Sequence, residues 1–153
     1  MTFKSQSLTP AHNKDFISLI DELNVSLGNI TGDSGESSFV ADDFDLSRDG
    51  CIVVYVGNKA VACGVFRFHS GQTCELKRMY SKVPGAGSFL LNELEDLAAS
   101  KGYVGAVLST RRVNERAVKF YQRNGFKEIE AYGKYMGLER SICMGKPIVG
   151  FHH

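Results

Sequence analysis

The sequence predicts an α/β fold: a mixed, mostly antiparallel central sheet of about seven strands, flanked by helices on both faces. Three observations lead there. Alternating apolar segments follow one another at hairpin spacing between residues 51 and 80. Two longer segments carry apolar residues at three- and four-residue steps. A strand, turn, helix and strand then run from Glu75 to Thr110, the pattern of a right-handed crossover between parallel strands.

Residues 2–8 read as a first strand. Thr9 stands as a helix N-cap before Pro10, and Phe16, Leu19, Ile20, Leu23 and Leu27 share one face of the helix, which Gly28-Asn29 should close. From Gly28 to Asp49 the chain turns acidic and glycine-rich, as in a surface loop, with one helical turn around Phe39 to Phe44. Residues 51–56 and 60–68 form a hairpin about Gly57-Asn58, and 73–80 extend it as a third strand. The helix 88–101 buries Phe89, Leu90, Leu94, Leu97 and Ala98 and stops at Gly102. A strand over 103–110, a helix over 114–124 ended by Gly125, and strands at 126–130 and 140–146 complete the order.

Composition bounds the function. Residues 1–149 are expected to form one domain and 150–153 a tail, in which His152-His153 resembles a tag remnant and is given no role. With 18 Lys and Arg against 17 Asp and Glu, no global field would hold nucleic acid or an anionic membrane. Cys51, Cys63, Cys74 and Cys143 form no C-x-x-C pair and lie among apolar residues, which suits buried, reduced thiols and a cytoplasmic protein without a metal site. No apolar run is long enough to span a bilayer.

Chemistry concentrates in two segments. In the first, the strand ending at Met79-Tyr80 runs through Lys82 into Gly85-Ala86-Gly87-Ser88 at a helix start, where outward backbone N–H groups and the helix dipole favour a phosphate. In the second, Asn114-x-x-Ala117-x-x-Phe120-Tyr121-x-x-x-Gly125-Phe126 sets Asn114 at an N-cap and Ala117, Phe120 and Tyr121 on one face. A dinucleotide fold would want a glycine where Leu90 stands; Arg111 and Arg112 after the next strand would suit a 2′-phosphate, but the upstream hairpin does not fit that fold.

Together the two segments resemble the GNAT acetyltransferase superfamily, in detail from about Glu75 to Glu130 and in element order from the first strand onward. The resemblance implies that Gly85 and Gly87 hold the pyrophosphate of acetyl-CoA, with Ala86 between them and Lys82 or Ser88 in support. It implies that backbone groups of Met79 and Tyr80, together with Asn114, contact the pantetheine arm, and that Tyr121 protonates the departing thiolate. The chain departs from the pattern at Lys82, where arginine or glutamine is usual, at Pro84, which has no N–H to give, and in a stretch from Tyr80 to Gly85 that is about four residues short.

An amine acceptor must lose a proton before it attacks, and Glu75 is the candidate base, directly or through a water. The alternative is that Glu75 pairs with Lys77 or Arg78 at a solvent-facing edge. A backbone N–H near Met79 would stabilise the oxyanion, as it does in relatives. Asp33, Glu36, Asp42, Asp43 and Asp45 form an acidic segment that would either attract a cationic small-molecule amine or stay a solvated surface; Tyr132 and Tyr135 would line the opposite wall. The expected activity is N-acetylation of a primary amine by direct attack in a ternary complex. A non-catalytic acyl-CoA-binding module and an NADP-dependent oxidoreductase are the alternatives. The resemblance also allows a homodimer.

Overall fold

The computed structural model describes residues 2–32 and 43–148. Its seven strands form one sheet: β1 (Phe3–Ser7), β2 (Gly50–Val56), β3 (Lys59–Ser70), β4 (Thr73–Ser81), β5 (Gly105–Arg111), β6 (Lys127–Ile129) and β7 (Ser141–Pro147), in the order β1-β2-β3-β4-β5-β7-β6. Every neighbouring pair is antiparallel except β4 and β5. Between them the chain passes through α2 (Ala86–Ser100), as the strand-helix-strand pattern required.

The pleat divides the core in two. Phe66, Cys74, Leu76, Ala106, Leu108 and Met144 pack with Leu90, Leu91 and Leu94 of α2, and Tyr121 of α3 (Glu115–Arg123) joins the same cluster. On the opposite face Cys51, Val53, Cys63 and Val65 pack with Phe16 and Leu19 of α1 (Lys14–Thr31). Helices therefore cover both faces.

The ends of α1 differ from expectation. His12 takes φ 65°, which breaks the helical path after Pro10, so Asn13 rather than Thr9 caps the helix and accepts the N–H of Phe16 at 2.9 Å. At the other end the helix runs through Gly28 and Asn29 to Thr31, because the left-handed glycine that stops it is Gly32, at φ 77°, whose N–H bonds Gly28 O. The helical turn expected around Phe39 lies largely outside the described residues. The second helix starts at Ala86, two residues early, directly after Gly85 at φ 83°.

A buried ion pair ties three elements together. Lys146 on β7 donates to Glu95 of α2 at 3.0 Å and to the carbonyl of Asn124, just past α3, at 3.0 Å. The Glu95 side chain is 1% exposed, so removing its cation leaves a carboxylate in the core. Lys146→Met is expected to lower unfolding free energy by about 3–5 kcal/mol in urea titrations, and Glu95→Leu in the same chain to restore most of it.

Candidate active site

The pairing of β4 with β5 is short. It joins Thr73, Cys74 and Glu75 to Gly105, Ala106 and Val107 and ends there. Further along, β4 carries an extra residue: Cys63 faces Tyr80 and Val65 faces Lys77, so Arg78 and Met79 together stand opposite Gly64. Arg78 has φ 55° and a buried side chain that donates to Asn24 of α1. A Cβ on Gly64 would collide with the Met79 sulfur and lie 2.9 Å from Leu94, so a larger residue beneath the bulge would force both side chains to shift. Where the strands part, a cleft of about 820 Å³ opens, bordered by α1, the start of α2, α3 and the segment before β7.

Most of the sequence-predicted residues meet in this cleft. Glu75, Met79, Tyr80, Gly85, Gly87, Ser88, Asn114, Tyr121 and Tyr135 all line it. Gly85 caps α2 without a side chain, and the N–H groups of Gly87 and Ser88 have no partner among the described residues. Gly87 also admits α3, since a Cβ there would sit 3.1 Å from the Phe120 ring. Asn114 accepts the N–H of Ala117 at 3.3 Å as the α3 cap. Tyr121 is 7% exposed, stacks edge-on with Phe120 and Phe126, and makes no hydrogen bond through its hydroxyl among the described residues. Burial alone raises its phenol pKa, so the group stays protonated.

Others are held elsewhere. Lys82 stands outside the cleft lining, with its ammonium 3.1 Å from Glu22 of α1. Ala86 is fully buried, and its N–H donates to Val83 O at 3.3 Å. Tyr132 does not line the cleft; its hydroxyl donates to Glu75 at 2.7 Å, and its ring packs against His69 and Tyr135. Asp33, Glu36 and Asp42 lie outside the described residues. Asp45 is engaged within its own loop, where hydrogen bonds from Ser47 and the charge of Arg48 hold its carboxyl below the usual carboxylate range.

Glu75 does pair with Lys77, at 3.3 Å, but not at a solvent-facing edge: the two side chains are only 13% and 11% exposed. Burial lowers the Lys77 pKa and the neighbouring carboxylate partly restores it. Tyr132 is shifted upward by burial and by its bond to Glu75, and Tyr135 is pushed up to about 12, by burial first and then by the Glu75 charge. Sequence reasoning missed the cations Lys77, Lys134 and Arg140 as lining residues. Strand alternation was the available signal for Arg111, which lines the cleft, while Arg112 turns away to Glu128 and to the carbonyl of Glu139.

The model of the acetyltransferase (GNAT) family matches residues 17–126. The chain belongs to that family and is an acyltransferase, which removes the oxidoreductase alternative. It is similar to an IAA acetyltransferase of Azospirillum brasilense, 27% identical over 139 residues, covering 86% of this chain and 90% of that one. In fold it matches a Klebsiella pneumoniae protein assigned as an acyl-CoA N-acyltransferase, with TM-score 0.81, 22% identity and coverage of 96% of this chain and 98% of that one. It also matches the PaiA N-acetyltransferase of Thermoplasma acidophilum, solved with coenzyme A, with TM-score 0.72, 18% identity and coverage of 96% and 99%.

The four cysteines are free and buried. Burial raises the thiol of Cys51 and pushes those of Cys63 and Cys74 up to about 12. Ellman's reagent is expected to detect almost no thiol in the folded protein and all four cysteines after denaturation in guanidinium.

Proposed function

We propose that the protein transfers the acetyl group of acetyl-CoA to the primary amine of a small molecule, by direct attack in a ternary complex in the cytoplasm. The observation that carries this reading is the convergence, in one cleft, of unpartnered amides at the start of α2, the Tyr121 hydroxyl and the Glu75 carboxylate.

The residues fit the co-substrate. The Gly87 and Ser88 amides, at the positive end of the α2 dipole, suit a pyrophosphate. Arg116 and Arg123 of α3 line the same cleft and add positive charge. The carbonyl of Asn114 is used in capping, which leaves its amide N–H groups for the pantetheine arm. Acetyl-CoA supplies the thioester carbonyl that the amine attacks.

Glu75 takes the amine proton, directly or through a water. Tyr132 and Lys77 hold its two oxygens in place, and each keeps a lone pair for the substrate. The parallel ladder with β5 ends at Glu75, so a β4 backbone N–H beyond it, near Met79, is available to the oxyanion. As the new C–N bond forms and the C–S bond breaks, Tyr121 gives its proton to the sulfur. Its raised pKa keeps that proton in place up to the moment of transfer.

Acetyl-CoA is expected to raise the melting temperature of the purified protein, with roughly 2.7 kcal/mol of stabilisation at 100 times the dissociation constant, while NADPH leaves it unchanged. A shift with NADPH alone would overturn the proposal. Tyr121→Phe should reduce turnover by more than about tenfold with acetyl-CoA affinity nearly intact, since positioned acid catalysis contributes ~10²–10⁴. Unchanged turnover in a steady-state assay would take Tyr121 out of the mechanism.

A further inference from the structure

The cleft does not share the near-neutral balance of the chain. Among the described residues that line it, Glu75 is the one carboxylate, whereas cations come from β4, β5, α3 and the segment before β7. The pleat sorts them. Leu76 and Leu108 point into the core beneath α2, so Glu75 and Lys77 of β4, with Ser109 and Arg111 of β5, face the other side, where Leu23 and Leu27 of α1 and Tyr135 form the walls. Gly87, Ser88 and Tyr121 belong to the α2 and α3 side. The half that holds Glu75 therefore carries Lys77 and Arg111; Lys134, beside the Tyr135 ring, stands at its wall, and Arg140 lines the cleft from the segment before β7.

These cations are not equally engaged. Lys77 is paired with Glu75. Lys134 is exposed, with its ammonium 5.5 Å from the Tyr135 ring centroid. Arg140 is exposed and has no carboxylate partner among the described residues. A polycationic amine entering here would meet like charge on several walls at once. Of the acidic segment's described carboxylates, neither Asp43 nor Asp45 lines the cleft, and Asp45 is bound within its own loop.

From this we infer that the acceptor is a small primary amine that also carries an oxyanion, a carboxylate or a phosphate. Its amine is directed to Glu75 and its oxyanion to Lys134 and Arg140. The inference rests on the transferase reading above and narrows its substrate class. Arginine and lysine at the mouth suit either oxyanion, the former through two parallel N–H donors.

The test measures thiol release at saturating acetyl-CoA with paired acceptors: amino acids against their α-amides, and phosphoethanolamine against ethanolamine, with spermidine as the polycation. At least one anionic member should exceed its neutral partner by about tenfold or more in kcat/KM. Lys134→Gln combined with Arg140→Gln should raise the KM for that acceptor about tenfold, while the KM for acetyl-CoA moves less than about twofold. Preference confined to the amino-acid pairs identifies a carboxylate, and preference confined to phosphoethanolamine identifies a phosphate; either supports the inference. A preference for spermidine, equal use within every pair, or a double variant that responds like the parent overturns it. So does the absence of thiol release while acetyl-CoA still raises the melting temperature, an outcome that spares co-substrate binding. Loss of that thermal shift overturns the transferase reading itself.

Discussion

One additional residue in β4 organises the cleft. With Arg78 and Met79 both opposite Gly64, the strand bends, and its parallel ladder with β5 ends at Glu75 and Val107. A non-glycine residue at positive φ is costly, and the hydrogen bond from Arg78 to Asn24 of α1 helps to hold it. On its other side β5 stays paired with β7 along its whole length, from Gly105 to Arg111. The consequence is a pair of strands whose facing peptide groups have lost each other within an otherwise continuous sheet. Backbone polar groups in that position must be satisfied by water or by a ligand, so the defect in the ladder is itself a binding surface.

The two halves of the cleft are built by different means. On the α2 and α3 side the polar groups are backbone amides and one phenol fixed by helix packing, with Arg116 and Arg123 of α3 beside them. On the other side they are charged side chains, fixed by one another: Tyr132 and Lys77 both hold Glu75, and the rings of His69 and Tyr135 hold Tyr132. Such a network is costly to bury but rigid once satisfied. It directs Glu75 while leaving Lys134 and Arg140 at the exposed rim, where long side chains can adjust to what enters.

Element type was legible because periodicity reports burial directly: the alternation in residues 51–80 and the helical steps through Phe16, Leu19 and Leu23 both match buried faces. Helix ends were less legible, because a left-handed His12 leaves no signature in sequence and because two glycines, Gly28 and Gly32, competed as the stop of α1. The GNAT-like segments brought Gly85, Gly87, Asn114 and Tyr121 to one place because each is defined by its neighbours along the chain. Lys82 and Tyr132 were misplaced for the opposite reason. Their partners, Glu22 and Glu75, are 60 and 57 residues away, and no local pattern encodes such a pairing. The bulge, which decides the cleft, depends on the register between two strands and is invisible until they are paired.

Packing also explains why the shortened loop after β4 is compatible with a phosphate site. The N–H of Lys82 still bonds Val61 O, so β4 continues against β3 almost to the turn, and only Val83, Pro84 and Gly85 remain before α2 begins. So short a loop has few amides to give, and the Ala86 amide is consumed by Val83. What remains is the first turn of α2, and Gly87 keeps it open in two ways: its own N–H has no partner among the described residues, and its missing side chain lets Phe120 of α3 close over it. Phe120 adjoins Tyr121, with the two rings 5.2 Å apart, so the helix that seats against the cradle is the one that carries the proposed acid. A shift of α3 would disturb both together. The spacing between the proposed phosphate site and the proposed proton donor is thereby fixed by a single helix contact rather than by the loop.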